Sequence, residues 1–324
     1  MIKTGIVIPK GAVMPSAVIS PYFLLLETNK YLAETGREPV FEVMILGSDE
    51  APVLYNGTFS VRANAHYANS PRQDLILIPG FIGDMEEPLA VNRELIDWLK
   101  GQYLNNGTEL ASLCTGAFLI AATGLANGRN CTTHWAFEAA FRAHFPKVNL
   151  LAENIVTDDN GLYASAGAYS SLNLILYLIE KFCDRATAGW LSKVFQIDID
   201  RNSQKPFAIF NQQRGHTDDP VTDVQEYIET HFREDLNVQR LAERFAFSRR
   251  NLIRRFKEAT GNTPIEYIQR VRIESAKRML ENTRKSVEEV IYASGYNDGK
   301  TFRAVFRKYT GLSPSIYRNR YGRH

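Results

Sequence analysis

Residues 238–267 read VQRLAERFAFSRRNLIRRFKEATGNTPIEY, and residues 287–317 read VEEVIYASGYNDGKTFRAVFRKYTGLSPSIY. Val238, Leu241, Ala242 and Phe245 stand at i, i+3, i+4 and i+7, the spacing of one helix face, and Val287, Val290, Ile291 and Ser294 repeat it 49 residues later. A short break follows in each copy, Ala246-Phe247-Ser248 and then Gly295-Tyr296-Asn297. A second helix carries Leu252 and Phe256 in the first copy and Phe302 and Phe306 in the second, now 50 residues apart. Both copies close alike, as Thr260-Gly261-Asn262-Thr263-Pro264 and Thr310-Gly311-Leu312-Ser313-Pro314, with Tyr267 and Tyr317 at equal distance beyond. Two copies are too few for a solenoid. They describe two related helix-turn-helix units joined by a helix over residues 265–281, an all-α domain.

A helix-turn-helix places the start of its second helix in the major groove of DNA. In the first copy Ser248 suits the N-cap, and Arg249, Arg250, Asn251, Arg254, Arg255 and Lys257 follow. The second copy offers Asn297 or Asp298 as cap, then Lys300, Thr301, Arg303, Arg307 and Lys308. Arginine can grip guanine bidentately and asparagine can grip adenine, while the remaining cations reach phosphates. A rigid joining helix would hold both recognition helices toward one DNA face, about 34 Å apart, in successive major grooves.

The chain of 324 residues has a formal net charge of only +2. That near-neutrality hides a split. Residues 221–324 hold 21 Lys+Arg against 13 Asp+Glu, and the remainder holds 17 against 23, so an acidic body precedes a basic tail. The asymmetry points to a polyanionic partner at the basic end, double-stranded DNA. With 44% hydrophobic and 23% charged residues the composition is that of a globular protein, and the length suggests two domains. Neither a signal peptide nor a run of about 18 apolar residues is present, so no membrane span is expected. Three cysteines, Cys114, Cys131 and Cys183, form no disulfide framework, which points to a reducing cytoplasm. The six histidines show no metal-ligand spacing with the cysteines, so neither a metal nor a cofactor is expected.

The first 183 residues alternate apolar strands with helical patterns: strands at 4–8, 41–46, 75–78 and 109–113, helices at 17–32 and 87–103, and a small-residue helix after Cys114. Continuous apolar strands between helices predict a parallel-sheet α/β/α sandwich, whose ligands bind at the carboxyl ends of the strands. Residues 198–219 are polar and aperiodic and read as a linker between a domain at 1–197 and one at 220–324.

The segment Glu109-Leu110-Ala111-Ser112-Leu113-Cys114-Thr115-Gly116-Ala117 is a strand, a cysteine and a small-residue helix start. A sharp strand-to-helix turn would expose the thiol as at a nucleophile elbow, and a helix N-terminus would lower its pKa. His134 lies twenty residues on and could complete a thiolate–imidazolium pair. The backbone N–H groups of Phe81 and Thr115 could bind an oxyanion or carboxylate. The bland alternative is a small core cysteine and a structural histidine. Phe81, Cys114, Thr115, His134 and Trp135 are thus the candidate ligand-binding set.

Residues 221–323 resemble the AraC/XylS DNA-binding domain, most specifically through Ala293-Ser294-Gly295-Tyr296, Phe302-Arg303-Ala304-Val305-Phe306-Arg307-Lys308 and the segment 310–318. The resemblance implies a transcription regulator on an asymmetric double site, with base contacts mainly from Arg250, Asn251 and Arg254 and then from Lys300 and Arg303. Gly299 stands where that family often carries a longer polar side chain. Residues 3–183 resemble the ThiJ/PfpI-like, class I glutamine-amidotransferase-like fold through Leu75-Ile76-Leu77-Ile78-Pro79-Gly80, Cys114-Thr115-Gly116-Ala117 and Thr133-His134-Trp135. Catalytic relatives of that fold also need a carboxylate. The loop at 10–16 contains none, Ala136 stands two residues after His134, and Glu138 stands four after it. The site therefore reads as degenerate and the protein as a sensor rather than an enzyme.

The order of the two halves resembles the GlxA-type regulators, whose first domain senses small metabolites. The resemblance implies an effector of amino-acid-like or quaternary ammonium type. Trp135, Phe81 and Phe23 could offer aromatic surface to such a cation. A homodimer through the first half and contact with RNA polymerase are further expectations. Two other readings stay open: a cysteine-dependent amidase or glyoxalase-like enzyme fused to a DNA-binding module, and a non-sensing architectural DNA binder.

Overall fold

A computed structural model describes residues 1–48, 53–55, 57–211 and 213–322. They form two compact units, Met1–Gln204 and Lys205–His324. The division falls inside the stretch read as a linker. Residues 198–204 belong to the first unit and 205–219 to the second; Gln212, within that stretch, lies outside the described residues.

In the first unit β1 (Ile2–Ile8) leads through α1 (Ser16–Glu34) to β2 (Phe41–Gly47). A small ribbon, β3 (Val53–Leu54) with β4 (Phe59–Ser60), precedes β5 (Ala65–His66) and β6 (Leu75–Ile78). Then come α2 (Glu86–Val91), α3 (Arg93–Asn106), β7 (Glu109–Ser112), α4 (Ala117–Ala122), β8 (Asn130–Cys131), α5 (Glu138–His144) and β9 (Asn149–Leu150). The unit closes with β10 (Val156–Asp159), β11 (Leu162–Ser165), α6 (Ser171–Phe182) and α7 (Arg185–Val194).

The main sheet has seven strands in the order β10-β11-β7-β6-β1-β2-β5, all parallel except β10 against β11. Helices α1, α6 and α7 pack together against β1, β2 and β11, and α3 and α4 pack on β7. Ile6, Leu75, Ile76, Leu77, Ile78 and Leu110 are fully buried because helices cover both faces.

The strand order reverses between β1 and β6, which makes their carboxyl ends the topological switch point. Here the following loops close on each other: Val13 bridges Phe81, Met14 N–H donates to the Gly80 carbonyl at 2.9 Å, and Ile82 N–H donates to that of Ala12 at 2.8 Å. The helix expected over 87–103 is broken in two at Asn92. This 3%-exposed side chain accepts from Lys10 N–H and donates to the Lys10 and Pro88 carbonyls, each at 2.8 Å. It ties the loop after β1 to the helix break.

The second unit is helical: α8 (Asp219–His231), α9 (Val238–Arg244), α10 (Arg249–Thr260), α11 (Pro264–Asn282), α12 (Val287–Ala293), α13 (Gly299–Thr310) and α14 (Pro314–Tyr321). It has two cores. One joins Val221, Val224, Ile228, Leu241, Leu252 and Phe256, and the other joins Val290, Ile291, Tyr296, Phe302, Phe306 and Tyr317. Helix α11 serves both, giving Tyr267 and Ile268 to the first and Ile273, Ala276 and Leu280 to the second. Among the described residues no helix is long and apolar enough to cross a membrane.

Candidate nucleic-acid interface and a buried cysteine elbow

The two helix-turn-helix units are built by matching local devices. Phe247 N–H bonds to the Ala242 carbonyl at 2.9 Å across the first turn, and Tyr296 N–H to that of Ile291 at 3.2 Å across the second. Ser248 caps α10, accepting from Asn251 N–H at 3.3 Å. Asp298, not Asn297, caps α13, accepting from Lys300 N–H at 3.3 Å and Thr301 N–H at 2.7 Å, and the Thr301 hydroxyl together with these backbone bonds holds its carboxyl below the usual range. Gly261 and Gly311 end the two helices in the left-handed conformation, at φ 70° and 72°. Thr260 and Thr310 each donate a hydroxyl to the carbonyl four residues back. Tyr267 donates its hydroxyl to Glu229, and Tyr317 to Glu281.

This geometry sorts the side chains of each recognition helix. Leu252, Phe256, Phe302 and Phe306 face the cores. Arg249, Arg250, Arg254, Lys257, Lys300, Thr301, Arg303, Arg307 and Lys308 are exposed, and Asn251 is half-buried. Arg255 departs from the expected phosphate contact. Its guanidinium donates to both carboxylate oxygens of Asp218, at 3.0 and 2.7 Å, and lies over the Phe247 ring. Asp218 itself caps α8 through Val221 N–H. Arg255 therefore ties α10 to α8, and Asp218 is held low chiefly by that bond.

In the first unit β7 ends at a left-handed Cys114 with φ 57°, followed by a single 3₁₀ turn and then α4. Crowding fixes the neighbours. A Cβ on Gly80 would lie 2.9 Å from the Leu113 carbonyl oxygen and 3.0 Å from Cys114 Cβ, and one on Gly116 would lie 2.3 Å from the Ile78 carbonyl oxygen. A Cβ on Gly167 would lie 1.8 Å from His134 Cδ2, so only a glycine lets the ring come this close to the backbone. Thr133 donates its hydroxyl to the Cys114 carbonyl at 3.1 Å.

The expected activation of the thiol is not found. Cys114 is only 2% exposed, and burial pushes its pKa up, opposed by hydrogen bonds from the Ala168 and Thr115 backbone and the Thr115 side chain. Burial also pushes His134 down. Its Nδ1 accepts from Ala136 N–H at 3.0 Å, which places the proton of the neutral ring on Nε2. Both shifts favour neutral partners over a thiolate–imidazolium pair. The expected anion site at Phe81 is also occupied: Phe81 N–H donates to Thr115 Oγ1 at 2.7 Å, and Thr115 Oγ1 donates back to the Phe81 carbonyl at 2.9 Å. The Phe81 ring is 2% exposed and offers no free aromatic face, whereas Phe23 is 50% exposed and meets Phe195 edge-on. Trp135 is half-buried beside His134, with ring centroids 5.2 Å apart. Glu138 pairs with Arg142 at 3.0 Å rather than with His134. Among the described residues no group of three His, Cys, Asp or Glu is placed to hold a metal ion.

Gln204 escaped the sequence reading. It is 2% exposed, and its side chain donates to the Thr133 carbonyl at 2.8 Å and the Ala152 carbonyl at 2.6 Å while accepting from Trp135 N–H at 3.1 Å. It thereby binds the loop of His134 and Trp135 to the last residue of the first unit. A lone glutamine in a polar run carries no periodic signal that could have marked it.

Comparison with known proteins follows the same division. A helix-turn-helix domain profile matches residues 241–320, and a DJ-1/PfpI family profile matches residues 25–181. The HTH-type transcriptional regulator CdhR of Pseudomonas aeruginosa is 30% identical over 274 residues, covering 84% of this chain and 80% of the relative. The HTH-type transcriptional regulator GbdR of the same species is 26% identical over 281 residues, covering 86% and 75%. A solved Vibrio parahaemolyticus protein, 23% identical, superposes on 60% of this chain and 98% of its own with a TM-score of 0.52, which speaks for the fold alone. The chain belongs to the HTH-type transcriptional regulators in which a DJ-1/PfpI-type domain precedes an AraC-type helix-turn-helix domain.

Proposed function

We propose that this protein regulates transcription by reading two adjacent half-sites of double-stranded DNA, one with each recognition helix, under control of a small molecule sensed by the first unit. The observation that carries the DNA reading is the sorting of α10 and α13, apolar on the core side and cationic on the exposed side. Arg249, Arg250, Asn251 and Arg254 form one reading head, and Lys300, Thr301, Arg303, Arg307 and Lys308 the other. Selection of duplexes from a random pool by the full chain tests this. Enrichment of a bipartite motif supports the reading, and recovery of unenriched DNA refutes it, leaving an architectural binder.

The cysteine elbow is read as sensing architecture rather than catalysis, because burial disfavours the charged forms of Cys114 and His134 and Glu138 is taken up by Arg142. A ligand near Cys114, Thr115, His134 and Trp135 would act on Gln204 and so on the chain leaving the first unit. The effector class that suits the family is amino-acid-like or quaternary ammonium. Differential affinity of such a ligand for two arrangements of the protein would shift DNA binding or contact with RNA polymerase in a homodimer. A thermal-shift screen of the full chain with amines, amino acids and aldehydes tests sensing: a ligand raises the melting temperature by mass action. A ligand whose shift is unchanged in His134→Ala and Gln204→Ala variants places the sensing site elsewhere.

A further inference from the structure

Two of the three arginines assigned to base reading, Arg254 and Arg303, are not bare cations. Arg254 Nη1 donates to both Glu258 oxygens, at 3.0 and 2.8 Å, and its Nη2 donates to Asn251 Oδ1 at 3.2 Å. Arg303 Nη2 donates to Glu288 Oε1 at 3.2 Å, reaching from α13 back to α12. A Cβ on Gly299 would lie 2.8 Å from Arg303 Nη1, so the missing side chain leaves the seat into which this guanidinium folds. Among the described residues Arg249, Arg250, Lys300 and Arg307 have no carboxylate within ion-pair distance. The two heads reach the same arrangement by different routes, one pair four residues apart on a helix and one across two helices. In each, a carboxylate sits on one base-reading arginine, while the neighbouring base-reading cation, Arg250 or Lys300, is left unpaired.

We infer that Glu258 and Glu288 are specificity-determining residues of the DNA reading proposed above, on which this inference rests. An exposed ion pair is weak and readily exchanged for a better partner. A guanine edge offers two acceptors in the plane of the guanidinium and can displace or share it. A backbone phosphate can also take the guanidinium bidentately, but it is an anion that the carboxylate repels, whereas the guanine edge carries no formal charge. The two glutamates therefore lower affinity for DNA of arbitrary sequence while holding each arginine over the groove for the correct base. They act through the arginines as positioning residues.

The test compares the full chain with Glu258→Gln, Glu288→Gln and the double variant on two duplexes of equal length. One carries the motif selected by the unaltered protein, and the other has random sequence. Dissociation constants are measured across a salt series. Each single change is expected to tighten binding to random DNA by about 3–10-fold and to steepen its salt dependence by about one unit of slope. Affinity for the selected duplex should stay level or weaken, so the selected-to-random ratio falls. In an Arg254→Ala background, Glu258→Gln should alter both duplexes by the same factor. Equal tightening on both duplexes in the unaltered background, or no change on either, overturns the inference while leaving sequence-specific binding intact. Failure of the unaltered protein to select any motif overturns the DNA reading itself, and this inference with it.

Discussion

Gly295→Ala should be far more damaging than its repeat position suggests. Gly295 takes φ 84°, a left-handed value that costs an alanine about 1–2 kcal/mol. The added Cβ would also lie 2.7 Å from the Phe232 carbonyl oxygen and 2.9 Å from Arg233 Cα. Both are backbone atoms, and Arg272 holds that segment by donating to the Phe232 and Glu234 carbonyls at 2.7 Å each. The segment cannot swing aside, so overpacking adds about 1–3 kcal/mol. The sum is about 2–5 kcal/mol. The equivalent residue of the first turn is Ala246, which occupies φ 54° with its Cβ in place. Ala246→Gly relieves left-handed strain but raises the entropy lost on folding, and should change stability by less than about 1 kcal/mol. The three tryptophans, Trp98, Trp135 and Trp190, all precede residue 205, so fluorescence follows the first unit only. Hydrogen exchange across residues 286–310 reads the second turn. Gly295→Ala should accelerate exchange there and weaken DNA binding, with the tryptophan transition unmoved. Exchange equal to that of the unaltered protein, or equal effects of the two substitutions, would refute the reasoning.

Phe256→Ala and Phe306→Ala should each cost about 3–5 kcal/mol, because both rings are fully buried. Hydrogen exchange should rise mainly around the core that each ring fills; identical exchange maps would contradict two separate cores. Arg254→Ala should cost about 1–3 kcal/mol on the selected duplex and relax base preference at one position. Lys308→Ala should weaken all sequences alike and lower the salt slope by roughly one unit; matching profiles from both would remove the division of roles. The depressed folded-state pKa of His134 means that its contribution to stability is full above the unfolded value near 6.5 and is lost as pH falls through the lower folded value. His134→Gln should therefore flatten the acid-side loss of stability below pH 6.5, and an unchanged profile would show the ring to be solvated. Thiol titration should find Cys114 above the free value of about 8.5; a pKa below it would restore the activated nucleophile.

The helix-turn-helix repeat was legible because its information is local. Apolar spacing, cap residues and the Thr-Gly-x-Ser/Thr-Pro endings recur at fixed offsets, and each maps to one bond or one buried face. The parallel sheet was legible for a similar reason, since strands covered on both faces are uninterrupted apolar runs. The edge hairpin β10–β11 was missed because Thr157, Asp158 and Asp159 dilute the apolar pattern. The Asn160-Gly161 pair at its turn, with φ 52° and 76°, was the signal available. Asn92 divides a continuous helical pattern by bonding to Lys10, 82 residues away, which no periodicity reveals. Arg255 reads as one more cation until Asp218, 37 residues distant, is placed beside it. At the elbow the residue types were visible but their burial was not, and burial decides the protonation of Cys114 and His134.

The most direct test of the two-headed reading is a hydroxyl-radical footprint of the full chain on its selected duplex, repeated with Arg254→Ala and Arg303→Ala. Two protected patches are expected on one face of the duplex, about 10–10.5 base pairs apart, each arginine substitution weakening a different patch. A single patch, or loss of the same patch from both substitutions, would contradict the account.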